Sequence, residues 1–272
     1  MKLKLILLFL FCNSVFVFAS RVDTLRVMSN SMNKTIANVV IIPDTYTTQK
    51  EGFPVLYLLH GAGGNYKDWV SKVPAIKEYA DKYNIVVVCP DGDVTSWYFD
   101  SPVDGKMKYE TYVSKELVAA IDKGYNTVKN RSGRAITGLS MGGHGALYLA
   151  FKHQDIYGAS GSMSGGVDIR PFPAKWDLPK RLGDYANHRE FWEKNTVINM
   201  VYLLKGDHLK IIFDCGIDDF FHDANSRLHA KLVERNIPHD YIERPGSHNW
   251  EYWANSIKYQ LLFFDDFFRS KS

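Results

Sequence analysis

Ser140 has the surroundings that most directly indicate chemistry, because it stands at the centre of the pattern GLSMG at 138–142. An apolar run leads into the pattern, and a segment with helical spacing follows it. A serine in such a strand-to-helix turn is strained and exposed, and the flanking glycines let strand and helix approach closely. The pattern alone occurs by chance in about one chain in ten of this length. Its context therefore predicts that Ser140 is a nucleophile.

A serine nucleophile needs a base and an acid that orients the base, and after a turn of this kind they follow in the order acid, then histidine. The run "IIFDCGIDDFFHD" ends a predicted strand with Asp218 and Asp219, and "YIERPGSHNW" ends the next strand in a loop that carries His248. The spacing from the preceding glycine favours Asp219 over Asp218, and Asp214 lies within the strand. The sequence predicts a triad of Ser140, Asp219 and His248, with Asp218 as the alternative acid.

Acyl transfer also needs N–H donors for the oxyanion of the tetrahedral intermediate. The backbone N–H of Met141, directly after the nucleophile, is one candidate. The loop "HGAGGN" at 60–65 follows the first predicted parallel strand, and we expect the N–H of Ala62 to point inward as the second donor. The alternative is a tight turn without this role. No CxxC pattern or histidine cluster indicates a metal site, and this chemistry implies no metal or organic cofactor.

The elements that must position these residues are apolar runs alternating with helical segments. The predicted strands are two antiparallel ones in 24–43, then 55–60, 85–90, 134–140, 158–164, 209–216 and 239–246. The predicted helices are 108–130, the segment after Met141, 221–235 and a last segment with an apolar stripe from Trp250 to Phe268. Strands that are apolar on both faces belong inside a sheet covered by helices. The sequence therefore predicts an α/β fold with a mostly parallel central sheet and helices on both faces. The GLSMG turn between a strand and a helix is typical of the α/β-hydrolase fold, which is the fold we predict.

Residues 165–208 interrupt the alternation with several prolines, aromatic residues and basic residues. Insertions of this kind on an α/β core lie over the carboxyl ends of the strands, where ligands bind. We interpret this segment as a small cap insertion. An ordered surface excursion with no part in binding is the open alternative.

The first residues have the layout of a cleaved signal peptide, with lysines, an apolar run and small residues before Ala19. We predict a signal peptide at 1–19, a single domain at 20–272, and a secreted or periplasmic protein without a membrane span after cleavage. A net charge of +3 gives no argument for a nucleic-acid partner. Because several strands separate Cys89 from Cys215, we expect two buried free thiols.

Five blocks together resemble the esterase D family, which includes carboxylesterases, feruloyl and acetyl esterases, S-formylglutathione hydrolases and mycolyltransferases. The blocks are "LYLLHGAGGNYKDW", "SWYFDSP", "RAITGLSMGGHGALYLAFKHQDIYG", "CGIDDFFHDANSRLHAKL" and "GSHNWEYW". The resemblance implies Ser140 as nucleophile, His248 as base and Asp219 as acid, with the N–H groups of Ala62 and Met141 as the oxyanion hole.

The resemblance also places Trp97 and Tyr98, in "SWYFDSP", beside the pocket. There the two rings would pack against an acyl or aromatic group of the substrate. Core packing of either ring is the open alternative.

The leading hypothesis is an exported serine carboxylesterase that acts on a small ester or an acylated carbohydrate. Acetyl or feruloyl esters of plant polysaccharide follow from the family and the compartment. The alternatives are a thioesterase similar to S-formylglutathione hydrolases, or an acyltransferase, with the same triad. A catalytically inactive binding protein on a hydrolase scaffold is the alternative of another class. The sequence leaves the oligomeric state open.

Overall fold

A mostly parallel sheet forms the centre of the molecule in the computed structural model, which describes residues 20–47, 49–206 and 208–270. The strands within these residues are β1 (Arg21–Ser29), β2 (Lys34–Ile42), β3 (Val55–Leu59), β4 (Val86–Pro90), β5 (Arg134–Gly138), β6 (Ala159–Met163), β7 (Lys210–Gly216) and β8 (Asp240–Arg244). Their spatial order is β1-β2-β4-β3-β5-β6-β7-β8. β1 and β2 pair antiparallel, as do β2 and β4, and the other neighbours pair parallel. The predicted signal peptide at 1–19 lies outside the described residues.

Helices cover both faces of this sheet, which confirms the predicted α/β-hydrolase fold. They are α1 (Asp68–Lys72), α2 (Ile76–Tyr83), α3 (Tyr109–Thr111), α4 (Leu117–Gly124), α5 (Met141–Lys152), α6 (Leu178–Leu182), α7 (Arg189–Lys194), α8 (His222–Glu234) and α9 (Trp250–Arg269). A π-helical turn, Tyr112–Glu116, joins α3 to α4. Strands β3 to β7 are buried along almost their whole length because both faces are covered.

The predicted helix over 108–130 ends earlier, at Gly124. Tyr125 is extended, with φ −130° and ψ 153°. The chain then pairs with Phe53, whose N–H donates to the carbonyl of Asn126 at 2.9 Å and whose carbonyl accepts from the N–H of Val128 at 2.9 Å. The carbonyl of Asn126 and the N–H of Val128, which form these bonds, are therefore not used to extend the helix. The sequence pattern did not reveal this competition because Phe53 lies far away along the chain.

The segment predicted as a cap packs against the loop at 95–101. Trp176 accepts a hydrogen bond at its carbonyl from Trp97 Nε1 at 3.2 Å. Arg181 donates from Nε to the carbonyl of Thr95 at 3.0 Å and accepts at its own carbonyl from Ser101 Oγ at 2.6 Å. These bonds hold α6 and the preceding turn beside the carboxyl ends of the parallel strands.

Cys89 and Cys215 are buried free thiols, as predicted. Among the helices in the described part of the chain, none combines the length and apolar character needed to cross a bilayer.

Helix α9 packs most of its apolar stripe against the sheet, while Trp250 and Trp253 at its start line a cavity. Ile257 and Phe264 are fully buried, and Leu261 is 1% exposed. Asp214 of β7 adds a polar anchor, because its side chain accepts from Gln260 Nε2 at 2.8 Å. Burial raises the pKa of the Asp214 carboxyl, although hydrogen bonds from the helix oppose the shift.

Adjacent leucines on α9 provide a matched test of this packing. Replacing Leu261, 1% exposed, by alanine leaves a cavity against the sheet, so we expect the free energy of unfolding to fall by about 2–5 kcal/mol. Leu262→Ala, at a side chain 54% exposed, should change it by less than about 0.5 kcal/mol. Denaturant unfolding of both variants measures the difference. Equal losses would contradict the orientation of the helix.

Candidate active site

Ser140 has a strained backbone at the junction of β5 and α5. Its φ is 56° and its ψ is −117°, in the left-handed half of the map that residues with a side chain rarely occupy. Its N–H donates to the carbonyl of Met163 at 2.9 Å, and its carbonyl accepts from the N–H of His144 at 3.0 Å and of Gly166 at 3.3 Å. Strain of this kind persists where the surrounding structure fixes it, and it concentrates at functional sites.

The glycines on either side of Ser140 allow three segments to meet. A Cβ on Gly142 would lie 2.5 Å from the carbonyl oxygen of His60, and a Cβ on Gly138 would lie 2.7 Å from the Cβ of Leu59. Distances below 3.0 Å are not tolerated without displacement of the backbone. As predicted, the missing side chains let the strand and the helix approach closely.

Three residues predicted from the sequence lie in one line of hydrogen bonds. The Nε2 atom of His248 lies 2.9 Å from Ser140 Oγ. On the other side of the ring, Nδ1 donates to Asp219, at 2.8 Å to Oδ2 and 3.1 Å to Oδ1. Asp219 is fixed in turn by the N–H of Phe221, which donates to Oδ1 at 2.8 Å. With Nδ1 carrying the proton, Nε2 is left to accept the proton of the serine.

The structure does not bring the other two aspartates to this histidine. Asp218 is exposed, and its N–H donates to the carbonyl of Gly246 at 3.0 Å. Asp214 is buried under α9, where Arg244 Nη2 donates to it at 3.1 Å. Of the three aspartates considered in the sequence, Asp219 therefore occupies the position beside His248.

Aromatic rings surround the imidazole of His248. The ring centroids of Phe220, Trp253 and Phe221 lie 4.3, 4.9 and 5.5 Å from it. Phe220 is nevertheless 53% exposed, so it also forms part of the surface next to the hydrogen-bonded Asp219, His248 and Ser140. These rings restrict where the imidazole can turn.

The glycine loop after β3 is fixed by a buried histidine, His60. Its Nδ1 donates to the carbonyl of Gly61 at 2.8 Å, and its Nε2 accepts from the N–H of Gly92 at 2.8 Å. Burial lowers the pKa of this ring, which favours the neutral tautomer that these two bonds require. Gly63, with φ +78°, completes the turn, and its N–H donates to the carbonyl of Val94 at 2.8 Å.

The two backbone donors predicted for an oxyanion have no acceptor in the part of the protein that the structure describes. Met141 is the first residue of α5, where an N–H has no partner within the helix. Neither its N–H nor that of Ala62 bonds to another group in the described residues. Ala62 and Ser140 line the same cavity. Ala62 thus presents an unbonded N–H at the cavity, whereas Met141 is fully buried and is absent from the described lining.

A cavity of about 750 Å³ opens above Ser140. Its lining comprises Gly61, Ala62, Gly63, Gly64, Asp68, Lys72, Leu139, Ser140, Trp176, Phe220, His248, Asn249, Trp250 and Trp253. The rings of Trp176 and Phe220 stack with centroids 6.0 Å apart and an angle of 20°. Phe220 and the two tryptophans of α9 were not predicted as lining residues, although each lies within five positions of Asp219 or His248.

Trp97 and Tyr98 are absent from the described lining of this cavity, which corrects the prediction that their rings lie against the substrate. Their residues are 1% and 0% exposed. Trp97 bonds through its indole to the carbonyl of Trp176, and the Tyr98 hydroxyl donates to the carbonyl of His60 at 3.1 Å. The rings therefore pack behind the site, as the core-packing alternative has it.

No group of three histidine, cysteine or acidic side chains is placed to hold a metal ion within residues 20–47, 49–206 and 208–270.

Comparison with known proteins agrees with this architecture. The sequence profile described as "Putative esterase" matches residues 29–264. An acetyl esterase of Caldicellulosiruptor saccharolyticus is 31% identical over 225 residues, which are 76% of this chain and 81% of that protein. A diacylglycerol acyltransferase/mycolyltransferase of Mycobacterium leprae is 28% identical over 241 residues, 75% of this chain and 72% of that protein.

A solved structure of a ferulic acid esterase has the same fold. It superimposes with a TM-score of 0.80 at 30% identity, over 92% of this chain and 99% of that one. The resemblance to the esterase D family is thereby confirmed. Together these matches establish that the chain belongs to the putative esterase family and is a carboxylic ester hydrolase.

Proposed function

We propose that the chain is a serine carboxylesterase in which Ser140, His248 and Asp219 form the catalytic triad. The observation that carries the proposal is the unbroken line of hydrogen bonds from Asp219 through His248 to Ser140 Oγ, at the surface of the cavity. A serine held in this line is activated because the imidazole removes its proton as it attacks.

The proposed reaction has two halves. Ser140 Oγ attacks the ester carbonyl carbon while His248 Nε2 takes the hydroxyl proton, and the N–H groups of Ala62 and Met141 bind the oxyanion. The intermediate collapses as His248 returns the proton to the leaving alcohol, which leaves an acyl group on Ser140. Water then attacks this acyl-enzyme with the same histidine as base, and the carboxylic acid leaves with Ser140 restored.

Asp219 has an electrostatic role in this scheme. Its side chain is fully buried, and it lies 2.8 Å from the Nδ1 atom that carries a proton throughout. A carboxylate in this position stabilises the imidazolium that forms in each half-reaction. The bond from the N–H of Phe221 keeps it in place.

The proposed substrates are acetyl or feruloyl esters of plant polysaccharide. Two considerations support this proposal. One relative is named an acetyl esterase and one structural neighbour a ferulic acid esterase. The cavity also has a stacked aromatic pair, Trp176 and Phe220, against which a planar or apolar acyl group can pack.

The cellular setting belongs to the same proposal. Residues 1–19 would be removed as a signal peptide, and residues 20–272 would act as one exported domain with 165–208 as a small cap. The contact of this segment with the cavity through Trp176 supports the cap assignment.

Removal of the nucleophile is the first test. Ser140→Ala should lower kcat for 4-nitrophenyl acetate at least about 10³-fold, because the oxyanion donors and substrate binding alone supply only a residual rate. Far-ultraviolet circular dichroism and thermal unfolding of the variant control for loss of fold. Retained activity in a folded variant would reject Ser140 as the nucleophile.

The two adjacent aspartates provide a matched pair. Asp219→Asn should reduce kcat by about 10⁴-fold, because the amide no longer stabilises the imidazolium and favours the wrong tautomer. Asp218→Asn, at an exposed carboxylate without contact to the histidine, should stay within about twofold of the wild type. A larger loss for Asp218→Asn than for Asp219→Asn would reject the assignment of the acid.

A substrate panel tests the chemistry of the ester. We expect higher kcat/KM for methyl ferulate or acetylated xylan than for S-formylglutathione, as measured by release of ferulate, acetate or glutathione. The Ser140→Ala variant at the same enzyme concentration gives the background rate of hydrolysis for each substrate. A preference for the thioester would contradict the polysaccharide proposal and favour the thioesterase alternative.

A further inference from the structure

One face of the cavity is built by the end of α1 and the start of α9. The rings of Trp69 and Trp250 join these elements, with centroids 5.3 Å apart and an angle of 82°. Lys72 lies one turn after Trp69, and Asn249 directly precedes Trp250. Because Lys72, Asn249 and Trp250 all line the cavity, we call these three residues the α1–α9 wall.

This wall presents hydrogen-bond donors that the protein does not use. Lys72 is exposed and has no ion-pair or hydrogen-bond partner in the described residues. Asn249 uses its side-chain oxygen to cap α9, accepting from the N–H of Tyr252 at 3.0 Å, while its amide NH₂ has no acceptor among those same residues. The buried indole N–H of Trp253, another lining residue, also has no acceptor there.

The only carboxylate in the described lining is already engaged. Asp68 accepts from the backbone N–H of Asn65 and from its side-chain Nδ2, each at 3.2 Å. These bonds fix the glycine loop. Although Asp68 lies one helical turn before Lys72, a spacing that permits ion pairs, no such pair forms in the described structure. The ammonium group of Lys72 is therefore left without direct neutralisation at the cavity.

We propose that the α1–α9 wall binds a carboxylate group of the substrate, so that an anionic ester is preferred over its neutral analogue. The inference rests on the proposed esterase function and specifies the substrate class of the same site. A carboxylate has acceptors only, which suits the ammonium of Lys72 and the amide NH₂ of Asn249. The positive end of the dipole of α9, which begins at this wall, adds to the attraction.

The carboxylate can belong to the alcohol or to the acyl part of the ester, and two pairs of substrates distinguish these cases. The alcohol pair is 4-acetoxybenzoate and its neutral analogue, 4-acetoxybenzamide. The acyl pair is the mono-4-nitrophenyl ester of adipic acid and the corresponding carboxamide. In each pair, the ratio of kcat/KM for the anionic ester to that for the neutral ester measures recognition of the charge.

We expect this ratio to be about 5 in at least one pair, as for a single charge contact at a partly exposed site. Lys72→Met should bring the ratio in that pair close to unity, and 0.5 M NaCl should lower it in the wild type. The matched control is Lys67→Met. It removes the same charge from an exposed lysine nearby that is outside the cavity lining, so the ratio should be retained.

Ratios at or below unity in both pairs, or a ratio that Lys72→Met leaves unchanged, would overturn the carboxylate site. The neutral esters report separately on the proposed function. If the wild type cleaves them and Ser140→Ala does not, the esterase assignment stands and only the carboxylate site is rejected. If none of the four esters is cleaved, the esterase function fails and the carboxylate site fails with it.

Discussion

The close approach of β3, β5 and α5 is the constraint on which the site depends. Only residues without a side chain at 138 and 142 let these segments meet at the distances observed. This packing forces Ser140 into the left-handed backbone conformation and points its hydroxyl out of the turn. The same contact sets the glycine loop after β3 beside the N-terminus of α5, so the positions of Ser140 and of the N–H groups of Ala62 and Met141 share one origin.

The parallel arrangement of the strands brings Asp219 and His248 to the edge of the sheet where Ser140 lies. Asp219 follows β7 and His248 follows β8, two neighbouring strands whose carboxyl ends lie on the same edge as that of β5. The histidine is 108 positions from the serine along the chain, yet their side chains lie within hydrogen-bond distance. Helix α9 begins just after His248, so its packing against the sheet, together with the bond from Gln260 to Asp214, also restrains the loop that carries His248.

The sequence predicted those parts of the molecule that depend on local pattern and chain order. The apolar runs located the strands, the glycine pattern located the turn, the order of the motifs selected His248, and the spacing from Gly216 favoured Asp219. It did not determine which aromatic rings face the cavity, because Trp97 and Trp176 lie in separate segments whose contact exists only in the fold. The early end of α4 was missed for the same reason, since Phe53 pairs with residues that follow it.

The central claim, that Ser140 is the nucleophile of an acyl-enzyme mechanism, is tested most directly by covalent labelling. Treatment with diisopropyl fluorophosphate followed by peptide mass spectrometry identifies the reactive side chain. We expect one phosphoryl adduct, on Ser140, that accumulates in step with the loss of esterase activity. Inactivation with the adduct on a different residue, or full labelling of Ser140 with activity retained, would contradict it.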